Sequence, residues 1–278
     1  IEPTEKLLSQ KLVEECMVAA NRCAARFLIA QQVTGPFVSH PGFRTDRLDE
    51  VRKFLTLHAP ALLDLDPGTV AGYRGIMRGL AAPGHALPLR LMINRLLTRA
   101  ELTTEPAPHM GMALDSYTNC TSPLRKYVDF LVHMQIKAAL RGVKAQLVNP
   151  QMLKELQQRL TLSRSATLEA ERWLAGNYLA KLTSEQPVVF GASISHISSS
   201  GFTVRLDDSG LAGFVDLRKD PEKFSYDKWT ASLTSTTRRF QLSQAVKLTF
   251  LGVDKESAYQ ALFQPVAGCG LKTVMETS

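Results

Sequence analysis

Chemically capable side chains are densest between His109 and Tyr127, in the run His-Met-Gly-Met-Ala-Leu-Asp-Ser-Tyr-Thr-Asn-Cys-Thr-Ser-Pro-Leu-Arg-Lys-Tyr. Thr121 or Ser122 has the chemistry of a helix cap, Pro123 suits a first turn, and Arg125 and Lys126 follow directly. A helix N-terminus offers free N–H groups and the positive end of the helix dipole, so a guanidinium beside it predicts an anion site. Arginine grips phosphate through a planar two-pronged fork, and lysine adds a compact charge. The same residues also read as an ordinary capped helix with two solvated cations. Cys16, Cys23, Cys120 and Cys269 show no Cys-x-x-Cys pair and no Cys/His finger spacing, which predicts reduced, mostly buried thiols.

Helices must position this cluster. Leu7, Leu8, Leu12, Val13, Cys16, Met17, Ala20, Cys23, Ala24, Phe27 and Leu28 recur at three-four spacing. The pattern predicts one long amphipathic helix from after Pro3-Thr4 to the Val33-Thr34-Gly35-Pro36 break. Shorter helices are expected from the Thr45-Asp46 cap to Leu57, beyond Pro67-Gly68 to Leu80, and from Leu87 to Thr98. Two more span Leu124 to Leu140 and Pro150 to Thr183, with a strand at Glu101 to Thr104 and an irregular loop from Pro106 to Pro123.

At Ser184 the apolar period shifts from about 3.6 to 2. Runs at 188–194, 202–206 and 211–217, joined by Ser198-Ser199-Ser200-Gly201 and Asp207-Asp208-Ser209-Gly210, read as a β-meander. Ala245 to Leu251 and Ala258 to Phe263 add two strands after a long polar connection. Five strands so spaced predict an OB-type barrel, a fold that commonly binds oligonucleotides. The fold class is therefore α+β, with residues 1–184 mainly helical and 185–278 forming the barrel. His196, Phe202, Arg205 and Phe214 lie on or beside strands where bases can stack; aromatic residues there also serve as core.

The chain has 278 residues, 45% hydrophobic and 21% charged, which excludes disorder and low-complexity architecture. It carries no apolar run long enough to span a membrane and no signal-peptide pattern. Its net charge of +7 is unevenly placed, because residues 121–184 hold ten basic side chains against four acidic ones. Such clustering is either a solvated helix face or a surface that meets a nucleic-acid backbone.

Leu102-Thr103-Thr104-Glu105-Pro106-Ala107-Pro108-His109-Met110-Gly111, then Tyr117, then Thr121-Ser122-Pro123-Leu124-Arg125-Lys126-Tyr127-Val128-Asp129, with His133 one turn on, closely resembles the ribonuclease II / ribonuclease R (RNB) exoribonuclease family. Val13-Glu14-Glu15-Cys16-Met17-Val18-Ala19-Ala20-Asn21-Arg22 is similar to that family's Glu-Glu-x-Met-x-x-Ala-Asn helix, and the likeness is closer to ribonuclease II. The resemblance spans essentially the whole chain: the helical C-terminal portion of an RNB catalytic domain, then a barrel of the ribosomal-protein S-one type. It implies processive 3′-to-5′ hydrolysis of single-stranded RNA to nucleoside 5′-monophosphates. Arg125 stands where the family's arginine neutralises charge on the scissile phosphate, and Lys126 follows as a second phosphate contact. Glu14 matches a carboxylate near the 3′-terminal nucleotides, where it can accept from a ribose hydroxyl; the bland reading is an i, i+4 helix pair. Glu171, in Ala170-Glu171-Arg172, matches a further family carboxylate. His109 and Tyr117 either order the loop and touch nucleotides or are buried structural groups.

The family binds Mg²⁺ through clustered aspartates, in a run ending Asp-Asp-Ala, upstream of the first helix. This sequence contains no such run. With Ile1 in place of Met, the expectation is the C-terminal part of a longer enzyme, inactive alone, with no metal ligand of its own. Its expected partners are single-stranded RNA and the upstream portion of the same enzyme, in a cytoplasmic monomer without membrane contact. The alternative is a non-catalytic RNA-binding protein on the same scaffold.

Overall fold

The computed structural model describes residues 7–143, 148–266, 268 and 271–272, so Cys269 lies outside the described residues. The chain divides into two units, Glu5–His85 with Leu89–Leu162, and Ser163–Ser278 with Ala86–Pro88.

In the first unit the long amphipathic run forms α1 (Leu8–Ala30). Only its C-terminal half packs: Ala24, Ala25 and Leu28 meet Phe37 and Val132, with Cys120 and Ile136 against them. The N-terminal half differs from expectation, because Leu8, Leu12 and Val13 are exposed. Cys16 and Cys23 are exposed too and Cys120 is half-buried, which corrects the expectation of mostly buried thiols. After α1 come β1 (Phe37–Ser39), α2 (Leu48–His58), α3 (Val70–Gly79), α4 (Leu89–Ile93) and β2 (Glu101–Thr103). Thr69 caps α3 by accepting from the Gly72 N–H at 3.0 Å. Helix α4 is shorter than expected, passing into a 3₁₀ turn at Asn94–Leu96. Antiparallel pairing of β1 with β2 sets Val38 opposite Leu102.

Helix α5 runs Tyr127–Leu140 and α6 Pro150–Leu182. The start of α5 corrects the expected Leu124. Residues 122–126 close a separate turn, with the Arg125 and Lys126 N–H groups donating to Ser122 O at 3.3 and 3.0 Å. Lys126 then takes an extended conformation (φ −120°, ψ 115°), which ends that turn before the helix begins. Along α6 every residue from Thr161 to Glu171 is exposed. Among the described residues no helix is long and apolar enough to cross a membrane.

In the second unit β3 (Val189–Ser198), β4 (Gly201–Leu206), β5 (Ala212–Asp216), β9 (Ala245–Asp254) and β10 (Gln260–Pro265) close a barrel in the order β10-β5-β4-β3-β9. β5 and β10 pair in parallel and the other neighbours antiparallel, the OB arrangement. Alternation sends Ile194, Phe202, Val204, Leu206, Val215, Leu248 and Phe263 inward. Gly213 lets β10 come close, since a Cβ there would lie 2.2 Å from the Phe263 ring.

The long connection between β5 and β9 contains strands the sequence pattern did not single out: β6 (Ser225–Asp227), β7 (Ser232–Thr234) and β8 (Arg238–Gln241), joined at the edge by β11 (Leu271–Lys272). Arg238 ties it together through ion pairs with Asp220 and Glu222. Glu222 also accepts from the Ser235 and Thr237 hydroxyls, and these bonds hold its carboxyl at about 2. A depressed carboxyl stabilises the fold above its unfolded value and loses that contribution as pH falls through its folded one. Thermal melts of Glu222→Gln are therefore expected to lie below wild type at pH 7 and to converge with it between pH 4.5 and 2.

Candidate functional site

A cleft of about 490 Å³ opens between α1 and the segment 117–126, with Glu14, Met17, Asn21, Tyr117, Thr121 and Lys126 in its walls. Three residues singled out in the sequence, Glu14, Tyr117 and Lys126, thus meet across a sequence separation of about a hundred residues. Met17, with Val13 and Val18, gives the cleft an apolar wall on the α1 side. Arg125 is exposed on the turn immediately before Lys126.

Buried side chains bonded to main chain hold this segment in place. The Asn21 amide donates to Tyr117 Oη and accepts from the Cys120 N–H, both at 2.8 Å. The Cys120 carbonyl accepts from His133 Nε2 at 2.7 Å, which requires the tautomer protonated there. Asp129 is fully buried, and its Oδ2 accepts from the Ser122 N–H at 2.8 Å. The Thr118 hydroxyl donates to Pro36 O, and the Val38 N–H to Tyr117 O, fastening the same segment to β1. The capping expected of Thr121 or Ser122 is thus corrected: Ser122 donates its N–H to the helix that follows, and α5 has no side-chain cap. The predicted anion site becomes a cationic turn ahead of the helix.

His109 packs edge-on to Tyr117 with ring centroids 5.6 Å apart and stacks on His40 at 5.5 Å. Burial and the neighbouring His40 push the His109 imidazole below the usual histidine range. Burial pushes the Tyr117 phenol up, with the Asn21 hydrogen bond opposing it, and Cys120 and Asp129 adding to the rise. Burial, with the Asp129 charge adding to it, likewise raises the Cys120 thiol, so both remain protonated at neutral pH.

Glu171 belongs to the other unit and is exposed on α6. On the barrel, Phe202 is buried against Phe240 with centroids 4.8 Å apart, so it is core and offers no stacking surface. His196, Thr203 and Phe214 form a cross-strand row on the outer face, with exposed Arg205 one row away. Arg205 Nη1 donates to Gly210 O at 3.0 Å.

Sequence reasoning quoted Asn21 and Asp129 within its motifs but gave neither a role at the site. The available signal for Asn21 was a polar side chain one turn before Ala24, Ala25 and Leu28, within the stripe that packs. Among the described residues no three His, Cys, Asp or Glu side chains gather into a set that can hold a metal ion. The described residues therefore do not fit a magnesium site.

A mainly helical unit with a cationic turn and a five-stranded OB barrel make this an α+β chain. The chain belongs to the RNB domain family, which matches residues 1–142. It is 32% identical over 270 residues to Exoribonuclease 2 of Actinobacillus pleuropneumoniae serotype 7 (strain AP76), covering 90% of this chain but only 40% of that relative. The apo form of Mycoplasma genitalium RNase R shares the fold, with a TM-score of 0.71 at 17% identity over 95% of this chain and 42% of that one. The same RNase R has been solved with ribose methylated single-stranded RNA. Yeast Ssd1, a pseudonuclease, shares the fold over 84% of this chain and 30% of its own, with a TM-score of 0.62 at 16% identity.

Removing the Asp129 carboxylate leaves the half-buried Ser122 N–H without its acceptor, so Asp129→Ala is expected to cost about 1–3 kcal/mol in urea unfolding. For His109 the lowered imidazole means that the unfolded chain takes up a proton first. Stability is then complete above the ordinary histidine value and declines as pH falls below it, and His109→Gln is expected to flatten that slope in denaturant midpoints measured from pH 8 to 5.

Proposed function

We propose that this chain is the C-terminal part of a processive 3′-to-5′ exoribonuclease that hydrolyses single-stranded RNA to nucleoside 5′-monophosphates. The observation that carries the reading is the meeting of Glu14, Tyr117 and Lys126 in one cleft beside the Arg125 turn, in a chain of the RNB family. Residues 1–184 are the closing portion of the catalytic domain and 185–278 the barrel that guides a single strand. Arg125 is the catalytic residue, its guanidinium fork set against the charge that develops on the scissile phosphate. Lys126 holds a neighbouring phosphate, and Glu14 accepts from a ribose hydroxyl and so favours RNA over DNA. Tyr117 and His109 bind and order the segment around the terminal nucleotides, and Glu171 on α6 is a further RNA contact. There the His196–Thr203–Phe214 row offers ring faces to bases, and Arg205 a charge.

The magnesium ion is held by aspartates of the upstream portion of the same enzyme, which is this chain's protein partner in a cytoplasmic monomer. The chain alone is inactive. A second reading, a non-catalytic RNA-binding protein on the same scaffold, is favoured by the fold shared with a pseudonuclease.

Two measurements test the first reading. With the upstream portion supplied, labelled oligoribonucleotide is expected to be shortened from its 3′ end, and Arg125→Ala to lower kcat by about 10²–10³-fold with KM little changed. Unaltered hydrolysis by Arg125→Ala removes that residue from catalysis, and hydrolysis by neither form selects the binding-protein reading. In salt titrations of RNA binding, Lys126→Ala is expected to reduce the log–log slope by about 0.7.

A further inference from the structure

The Asn21 amide is unambiguous in its orientation. The Cys120 N–H can only donate, so the Asn21 atom 2.8 Å from it is the amide oxygen. The atom 2.8 Å from Tyr117 Oη is then the NH₂ group, which has no lone pair to offer. Tyr117 Oη therefore accepts from Asn21, and the phenolic proton points elsewhere. Among the described residues no acceptor takes it, while both Asn21 and Tyr117 stand in the wall of the cleft. The ring cannot turn to find another partner, because it is buried and held edge-on by His109. A hydroxyl desolvated in this way gains most when an acceptor arrives.

We infer that the Tyr117 hydroxyl is a pre-oriented donor to a ribose or phosphate oxygen of the nucleotide in the cleft, and that Asn21 is the positioning residue that turns its proton there. This rests on the RNA reading above, and it gives Tyr117 a chemical role that its burial alone conceals. It also gives the Asn21 side chain a function that a carboxylate of the same shape cannot perform. An aspartate at position 21 can still accept from the Cys120 N–H, but its second oxygen would draw the Tyr117 proton back toward α1 and away from the cleft.

The test is a mutant cycle on the full 278-residue chain, read by fluorescence anisotropy with a 5′-fluorescein oligoriboadenylate bearing a free 3′ hydroxyl. Tyr117→Phe keeps the ring packed on His109 and is expected to weaken binding about 10-fold, as is Asn21→Asp. The double variant is expected to bind no worse than either single one, because the same donated proton is lost only once. A purely structural pair is coupled as well, so the two roles are separated by stability: the donor role predicts that Tyr117→Phe weakens binding with its urea midpoint unchanged, whereas a structural role lowers both together. If Tyr117→Phe binds within about twofold of wild type, or if the two losses multiply, the inference is overturned and the RNA reading stands. If the wild-type chain shows no salt-sensitive binding of the probe, both are overturned together. Should Asn21→Asp fail to fold, Tyr117→Phe alone decides between these outcomes.

Discussion

The site depends on one buried amide. Asn21 sits on the packed side of α1 and spends its donor and its acceptor on the segment nearly a hundred residues later, at Tyr117 and Cys120. Buried polar groups are costly unless paired, so this arrangement specifies a single register between helix and loop. A shift of either element leaves an amide and a main-chain N–H desolvated without partners. His133 on Cys120 O and Asp129 on the Ser122 N–H extend the same logic to the next residues, so the turn carrying Arg125 is fixed at its root while its tip stays exposed. The exposed Arg125 side chain is thus carried by a turn whose root is tied down by main-chain hydrogen bonds.

The barrel unit solves a different problem. Closure leaves no open sheet edge in the barrel, and strict alternation puts one face of each strand inside and one outside. Phe202 and Phe214 show how strongly this decides a side chain's use. Both lie on neighbouring strands, yet Phe202 shares parity with Val204 and Leu206 and is buried, whereas Phe214 shares it with the outer row. Period two was already visible in the sequence, so the burial of Phe202 could have been read there. The small sheet between β5 and β9 could not, since strands of three or four residues are too short to display a period.

The sequence by itself determined the α+β class, the long helices, the five barrel strands and the grouping of Arg125 with Lys126. Each rests on local periodicity or adjacency, which a chain displays before it folds. The resemblance of its motifs to the RNB family also singled out Glu14 and Tyr117 as candidate RNA contacts. Tertiary structure decided what depends on long-range bonds. It moved the start of α5 to Tyr127, because Asp129 draws the Ser122 N–H and Lys126 turns extended. It left the first half of α1 with its apolar residues exposed. And it gave Asn21 its role, since nothing near it in the chain tells an asparagine which backbone N–H and which phenol it will meet, and that pairing exists only once the helix and the loop have come together.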